Sequence, residues 1–384
     1  MKKSIIGIIT VILLLLAISS VMIYDTSGIF AQDKYHDENF FLKKQLLWLG
    51  LGFITFVFFS YFRYVMLRKL SFFFIVIVIG LLFLTMIKPF ACQANGAYRW
   101  VKIGPLVFQP SEIAKLVLCI YLADLLSRKQ EKVKEFFKSL FFPSILIAFI
   151  LFLVVRQPDL GTTVLLATIC VLLFFIAGMK TSIFVSIILS GMSGLYFLII
   201  MFPYRMKRIM TFLDPFKDPQ GSGFQIIQSF IALGSGGLYG MGLGQSKQKL
   251  FYLPEAHTDF IFSIIGEEFG LIGTCIIVFL FLTFFLCGMI IAYKCIDPFG
   301  KLLAVAITLT ISIQAMINIC VVTGMLPTKG IPLPFLSFGG SNLLINIASI
   351  GILVNIGVRG NNYEPVEVIK DNSGSVKLMP KKKA

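Results

Sequence analysis

Ten runs of apolar residues dominate this sequence, most of them close to the 20 or so residues that a helix needs to cross a bilayer. They cover Ser4–Tyr24, Gln45–Phe62, Leu70–Ile87, Ser111–Ser127, Leu140–Val155, Thr162–Gly178, Ser182–Phe202, Thr258–Ala292, Leu302–Thr323 and Ser341–Val358. In hydrocarbon each backbone N–H and C=O has to be paired, so runs of this kind fold as helices. Charged residues make up only 14% of the 384 and apolar residues 57%. A water-soluble globule carries about 25% charged residues, so a soluble enzyme, a secreted module and a disordered scaffold are excluded. The expected fold is an all-α polytopic membrane protein of about ten transmembrane helices. One domain spans residues 1–360, with a long outward loop over 203–257 between the seventh and eighth helices. The eighth run is longer than a bilayer requires and contains Glu267 and Glu268, which reads as one long helix whose first turns lie outside the lipid or face protein.

The net charge of +15 resides in the loops, where orientation by the positive-inside rule explains it better than nucleic acid does. With the N-terminus cytoplasmic, the inner side holds 19 Lys and Arg and the outer side 14, six of these in the single long loop, with Lys115 inside a span. Both termini are therefore expected in the cytoplasm. Lys2-Lys3 starts an apolar run too long for a signal peptide and lacking a small-residue cleavage site, hence an anchor. Residues 361–384 are polar and lysine-ended and read as a disordered basic tail. The seven cysteines form no C-x-x-C pair, so neither a disulfide framework nor a zinc site is indicated.

Ionisable residues are costly within a bilayer, and here they gather on the outward side. Arg99-Trp100 leads to Gln109-Pro110-Ser111-Glu112 and Lys115, where Pro110 and Ser111 mark a helix start. Glu112 and Lys115 share a helix face, as a self-satisfied ion pair or as part of a site. Arg156 and Asp159 occupy a very short outer loop. In the long loop Arg205, Lys207 and Arg208 set three cations within four residues. Glycines at 234, 236, 237, 240, 242 and 244 follow, which form a tight loop or, less specifically, a phosphate cradle. Glu255, His257 and Asp259 converge where the chain enters the eighth run. Two carboxylates and a histidine suit general acid–base catalysis or a divalent metal. Equally, they suit a cluster in which Thr258 caps the helix. The prolines of Leu326–Asn342 break helical pairing at membrane depth, which points to a cavity open to the outer side.

Arg99-Trp100, Gln109-Pro110-Ser111-Glu112 with Lys115, Tyr252-Leu-Pro254-Glu255-Ala-His257-Thr258-Asp259-Phe-Ile-Phe, Gly266-Glu267-Glu268 and Leu333-Pro334-Phe-Leu-Ser337-Phe-Gly339-Gly340-Ser341 together resemble the SEDS family (shape, elongation, division and sporulation). The resemblance runs from about Phe41 to about Arg359. Phe338 departs from it, since Tyr is common there. Leu326-Pro327-Thr328-Lys329-Gly330 is most similar to the cell-division branch, with the elongation branch as the alternative.

That resemblance implies a peptidoglycan glycosyltransferase that polymerises lipid II outside the bacterial cytoplasmic membrane, at the division septum. Its implied partners are lipid II, a class B penicillin-binding transpeptidase and other divisome proteins, with no nucleic acid. It places the essential carboxylate on Asp259 and an important tryptophan at Trp100. Glu255 and His257 would orient Asp259 or help to bind a divalent cation, Mg2+ or Mn2+. Arg99, Lys115, Arg205 and Arg208 are candidates for the diphosphate, and Gln109, Glu112, Ser337 and Ser341 complete the candidate substrate contacts. A lipid II flippase would use the same substrate without needing a base. A non-catalytic divisome scaffold would leave the outward polar cluster unexplained.

Overall fold

The computed structural model describes residues 1–88, 90–94, 97–104, 106–129, 139–250, 252–254, 256–361, 366–370 and 376–380. Every expected span has its helix. These are α1 (Lys2–Tyr35), α2 (Phe40–Tyr61), α3 (Tyr64–Leu84), α4 (Pro110–Arg128), α5 (Phe141–Arg156), α6 (Leu160–Ile176) and α7 (Thr181–Met201). After the outer loop come α10 (Ile261–Lys294), α11 (Pro298–Val322) and α12 (Gly340–Arg359). Seven of the ten, α1 to α3, α7 and α10 to α12, are long and apolar enough to cross a membrane. Helices α5 and α6 are apolar but shorter, 16 and 17 residues, while α4 carries Glu112, Lys115 and Asp124 within its 19.

The long loop is itself largely helical, with α8 (Pro203–Leu213), a 3-10 turn at Pro215–Lys217 and α9 (Phe224–Gly236). Between α3 and α4 lies a feature that the apolar runs do not announce, an antiparallel sheet of β1 (Ala91–Ala94), β2 (Ala97–Ile103) and β3 (Leu106–Phe108), with β2 central. Tyr98, Trp100, Val101 and Ile103 suit a half-buried strand, and Val101 is buried. In the tail, Val366–Lys370 (β4) and Val376–Pro380 (β5) pair antiparallel.

The eighth run is not one continuous helix. Gly270 takes φ 66° and ψ −161° inside α10 and breaks it. The break frees carbonyls that hydrocarbon would leave unpaired, and the glycine run supplies the partners. Met241 N–H donates to the Glu267 carbonyl at 2.9 Å and Gly242 N–H to that of Glu268 at 3.0 Å, while Leu271 N–H donates to the Gly237 carbonyl at 2.9 Å. A Cβ at Gly240 would collide with the Glu268 carbonyl, and one at Gly270 with the Gly240 nitrogen. The glycines therefore serve a backbone interlock.

Helix α12 is enclosed along most of its length and packs along α2, where a Cβ at Gly351 would stand 2.9 Å from the Phe56 carbonyl. Helix α11 lies against α10 and α4, and α1 against α10. At the end of the bundle away from Asp259, Asp124 accepts from Arg68 at 3.1 Å, Arg128 at 2.6 Å and Ser71 at 2.7 Å, joining α3 to α4. There Asn355 of α12 donates to the Ser60 carbonyl and accepts from Tyr64 N–H at 3.2 Å. Helix α7 buries no residue at all and is the peripheral member.

Candidate functional site

Asp259 lies in the turn before α10, whose first residue is Ile261 and whose N-cap position falls on Phe260, two residues past the expected Thr258. The 257–259 turn is stitched to the proline-rich segment before α12. Phe338 N–H donates to the His257 carbonyl at 3.0 Å, and Ser337 Oγ donates to the Thr258 carbonyl while accepting from Leu333 N–H at 2.8 Å. Asn318 of α11 donates to the Asp259 and Ile331 carbonyls, each at 2.8 Å.

Beside this turn runs Thr328-Lys329-Gly330-Ile331. A Cβ at Gly330 would stand 2.9 Å from Asp259 Oδ2, so the carboxylate lies against bare backbone. Gly161, in the first turn of α6, packs against Ile331 and leaves room for the Lys329 Cβ at 3.5 Å. Arg208 of α8 donates to the Thr328 carbonyl at 3.4 Å. Burial, and then the charge of Arg208, hold the half-buried Lys329 ammonium below its ordinary value. Among the described residues neither Lys329 nor Arg208 has a carboxylate partner. Lys329 thus belongs to the backbone segment that adjoins the carboxylate and Arg208 bonds to it, and a proton acceptor with cations on a neighbouring stretch can serve both an attacking hydroxyl and a departing anion.

The remaining sequence candidates form a second tier. Lys115 pairs with Glu112 at 2.6 Å, both almost fully buried; Asn342 donates to Glu112 at 2.8 Å, and Lys115 donates to Gln314 at 2.7 Å. Gln314 in turn donates to the Pro332 carbonyl at 2.9 Å, which links this pair to the proline segment. Gln109 N–H donates to Ser341 Oγ at 3.2 Å, and the Gln109 amide reaches Ser111 at 2.9 Å and Asp159 at 3.3 Å. Asp159 caps α6 through Thr162 N–H at 3.1 Å. Arg99 donates to the Gln157 carbonyl at 3.2 Å and the Pro158 carbonyl at 2.6 Å, while its neighbour Trp100 sits half-buried on β2 opposite Cys92. Arg205 is buried, its guanidinium stacked 4.5 Å from the Phe202 ring centroid and bonded to the Tyr204 hydroxyl at 2.8 Å. Glu255 lies outside the described residues.

No group of three or more His, Cys, Asp or Glu among the described residues could hold a metal ion, and the His257 ring packs between Phe41 at 4.8 Å and Phe30 at 5.8 Å. No step below is routed through a metal.

Sequence reasoning missed Lys329, Gln314, Asn318 and Asn342 as site residues. Gln314 and Asn318 carried a signal, since two amides four apart in an apolar run share one helix face and need partners there. It also missed the buried junction in which Lys249 bridges Asp25 of α1 at 2.6 Å and Glu268 at 3.0 Å, with Glu267 accepting from Ser246 Oγ and from Lys247 N–H at 3.0 Å.

Residues 6–362 match the model of the FtsW/RodA/SpoVE family, described as cell cycle protein. Stage V sporulation protein E of Bacillus subtilis (strain 168) is 45% identical over 350 residues, covering 91% of this chain and 95% of that protein. A protein of Geobacter sp. (strain M18) named "Probable peptidoglycan glycosyltransferase FtsW" is 42% identical over 340 residues, 88% of this chain and 92% of its own. Among solved structures, a chain from work on "structural coordination of polymerization and crosslinking by a peptidoglycan synthase complex" superposes with a TM-score of 0.74 at 27% identity, covering 92% of this chain and 97% of that one. The rod shape determining protein RodA of Thermus thermophilus superposes at 0.68 and 23% identity, covering 92% and 96%, and shares the fold.

Proposed function

From the premise that the chain belongs to the FtsW/RodA/SpoVE family of cell cycle proteins, a family of multi-pass membrane proteins, we propose that it is a peptidoglycan glycosyltransferase that polymerises lipid II. The observation that carries this reading is Asp259 Oδ2 lying against the backbone of Gly330, in the segment that carries Lys329 and whose Thr328 carbonyl accepts from Arg208, two cations with no carboxylate partner among the described residues. Lipid II holds its sugar on a polyprenyl diphosphate. An acceptor sugar hydroxyl attacks the anomeric carbon, the C–O bond to the diphosphate breaks, and a glycosidic bond forms. Asp259 takes the hydroxyl proton, and Lys329 and Arg208 receive the charge of the leaving diphosphate. The turn is half-buried, with Ala256 and Phe260 on either side of it buried, which restricts the access of competing water. Glu112 and Lys115 act one layer back by holding Gln314.

The same reading puts the site on the outer face of the cytoplasmic membrane, both termini in the cytoplasm, and a crosslinking penicillin-binding transpeptidase alongside. Septal division is the proposed setting, and the likeness to a sporulation protein makes a sporulation wall the neighbouring option. The test is polymerisation of labelled lipid II by purified protein, with and without its transpeptidase, wild type beside Asp259→Asn. Glycan strands from wild type and a rate about 10²–10⁴-fold lower from the variant are expected. A folded Asp259→Asn protein that polymerises at the wild-type rate would remove Asp259 as the base. Absence of strands from wild type with its partner present, together with lipid translocation in vesicles, would replace the enzyme by a flippase.

A further inference from the structure

Asn318 sits in the outer half of α11 and is 2% exposed. Its Nδ2 donates to two carbonyls in separate loops, Asp259 at 2.8 Å and Ile331 at 2.8 Å. Both neighbours are acceptors only, which fixes the orientation of the amide, since its oxygen could not face them. The Oδ1 atom is buried and has no hydrogen-bond partner among the described residues. An unpaired buried acceptor opposes folding, and an aliphatic side chain of similar size would fill the place without it. What an aliphatic residue could not do is hold the backbone of Asp259 to the backbone two residues past Lys329. One turn earlier Gln314 grips the next carbonyl, Pro332, at 2.9 Å, but it reaches only that one loop.

We propose that Asn318 is a positioning residue for Asp259: its amide clips the base-bearing turn to the Lys329-Gly330-Ile331 segment and so sets the spacing between carboxylate and cation. The inference rests on Asp259 being the base of the proposed reaction. A clip of this kind acts on geometry, and misplacement by about 1 Å can lower a rate by about 10²-fold while leaving substrate affinity nearly intact.

The experiment compares full-length wild type, Asn318→Ala, Asn318→Gln and Asn355→Ala in lipid II polymerisation and in hydrogen exchange. Asn355 is the control, because it also joins two backbone groups but at the other end of the bundle. Asn318→Ala is expected to lose about 10²-fold in kcat with KM within about threefold of wild type. The amides of Ile331 and Phe338 should exchange faster in it, and Asn318→Gln, which keeps the amide, should recover part of the rate. Asn355→Ala should lower the thermal midpoint and leave kcat per folded molecule unchanged. A wild-type kcat in Asn318→Ala, or an equal fall in Asn355→Ala, overturns the proposal. If the wild type itself makes no polymer, the enzymatic reading fails separately. Exchange at Ile331 and Phe338 then decides the clip: unchanged protection overturns it and loosened protection sustains it.

Discussion

The Glu112–Lys115 pair allows a calculation that separates a structural role from a direct role in substrate binding. Its side chains are 5% and 3% exposed, 2.6 Å apart, and each has one further neutral partner, Asn342 for the carboxylate and Gln314 for the ammonium. Replacing one member leaves the other's charge buried, which costs about 3–5 kcal/mol in other proteins. The surviving amide bond to the orphaned charge offsets part of that, so Lys115→Met and Glu112→Gln should each destabilise by about 3 kcal/mol. In the double variant no buried charge remains, and the chief loss is the donor to Gln314 Oε1. Its destabilisation should then be about 3 kcal/mol as well, which makes the coupling energy about 3 kcal/mol. Reversible unfolding of the four proteins in mixed micelles measures it, with polymerisation followed in parallel. A coupling below about 1 kcal/mol, the range of solvent-exposed pairs, would refute the enclosed ion pair described above. Polymerisation in the double variant at or above that of the single variants would make the pair a scaffold for Gln314; a double variant as stable as the singles but less active would bring the pair into contact with substrate.

Three further perturbations have definite outcomes. Lys329 loses its proton at lower pH than an ordinary lysine of 10.5, because of burial and then Arg208. Its opposition to folding is thus present at neutral pH and fades as pH rises from its folded value towards 10.5. In the reaction the cation is lost early on the alkaline side, so Lys329→Arg should extend the alkaline limb of the polymerisation rate, and superimposable limbs would count against this cation. Gly330→Ala places a Cβ 2.9 Å from Asp259 Oδ2 and should slow polymerisation about 10- to 100-fold at an unchanged thermal midpoint. Gly240→Ala meets both φ 81° and the Glu268 carbonyl. It should destabilise by at least about 2 kcal/mol, read as a lower thermal midpoint and faster proteolysis of the outer loop.

The ten helices were legible because hydrocarbon leaves a run of about 20 apolar residues almost no alternative to helix. What the runs did not disclose lies where tertiary partners replace local pairing. Gly270 stands in an apolar stretch that reads as unbroken, and only the donors of Met241 and Gly242, nearly thirty residues upstream, make its break tolerable. Helix α1 continues through Asp25 to Tyr35, well past the last apolar residue of its run, where Asp25 meets Lys249 across the fold. The sheet of β1 to β3 went unread because its Arg99 and Trp100 were weighed as site residues rather than as strand. For the candidate site, the motif around Asp259 drew attention to the turn that Asn318, Ser337 and Phe338 hold. The distribution of roles around it was hidden. Arg205 looks from sequence like a free cation but spends its guanidinium on Phe202 and Tyr204, whereas Lys329 looks like a family marker and adjoins Gly330, the residue that Asp259 lies against.

The packing of α12 along α2 has a consequence for how the molecule is made. About 280 residues separate the end of one helix from the start of the other, so α2 enters the membrane long before its principal neighbour has been translated. Ser341 and Asn342, which hold Gln109 and Glu112, arrive with that same late helix. A nascent chain halted just before α12 would already carry Asp259, Asn318 and Lys329, yet the ground beneath them would be missing. Competence to react is therefore acquired at the last insertion event, and a partly synthesised copy left in the membrane would remain inert.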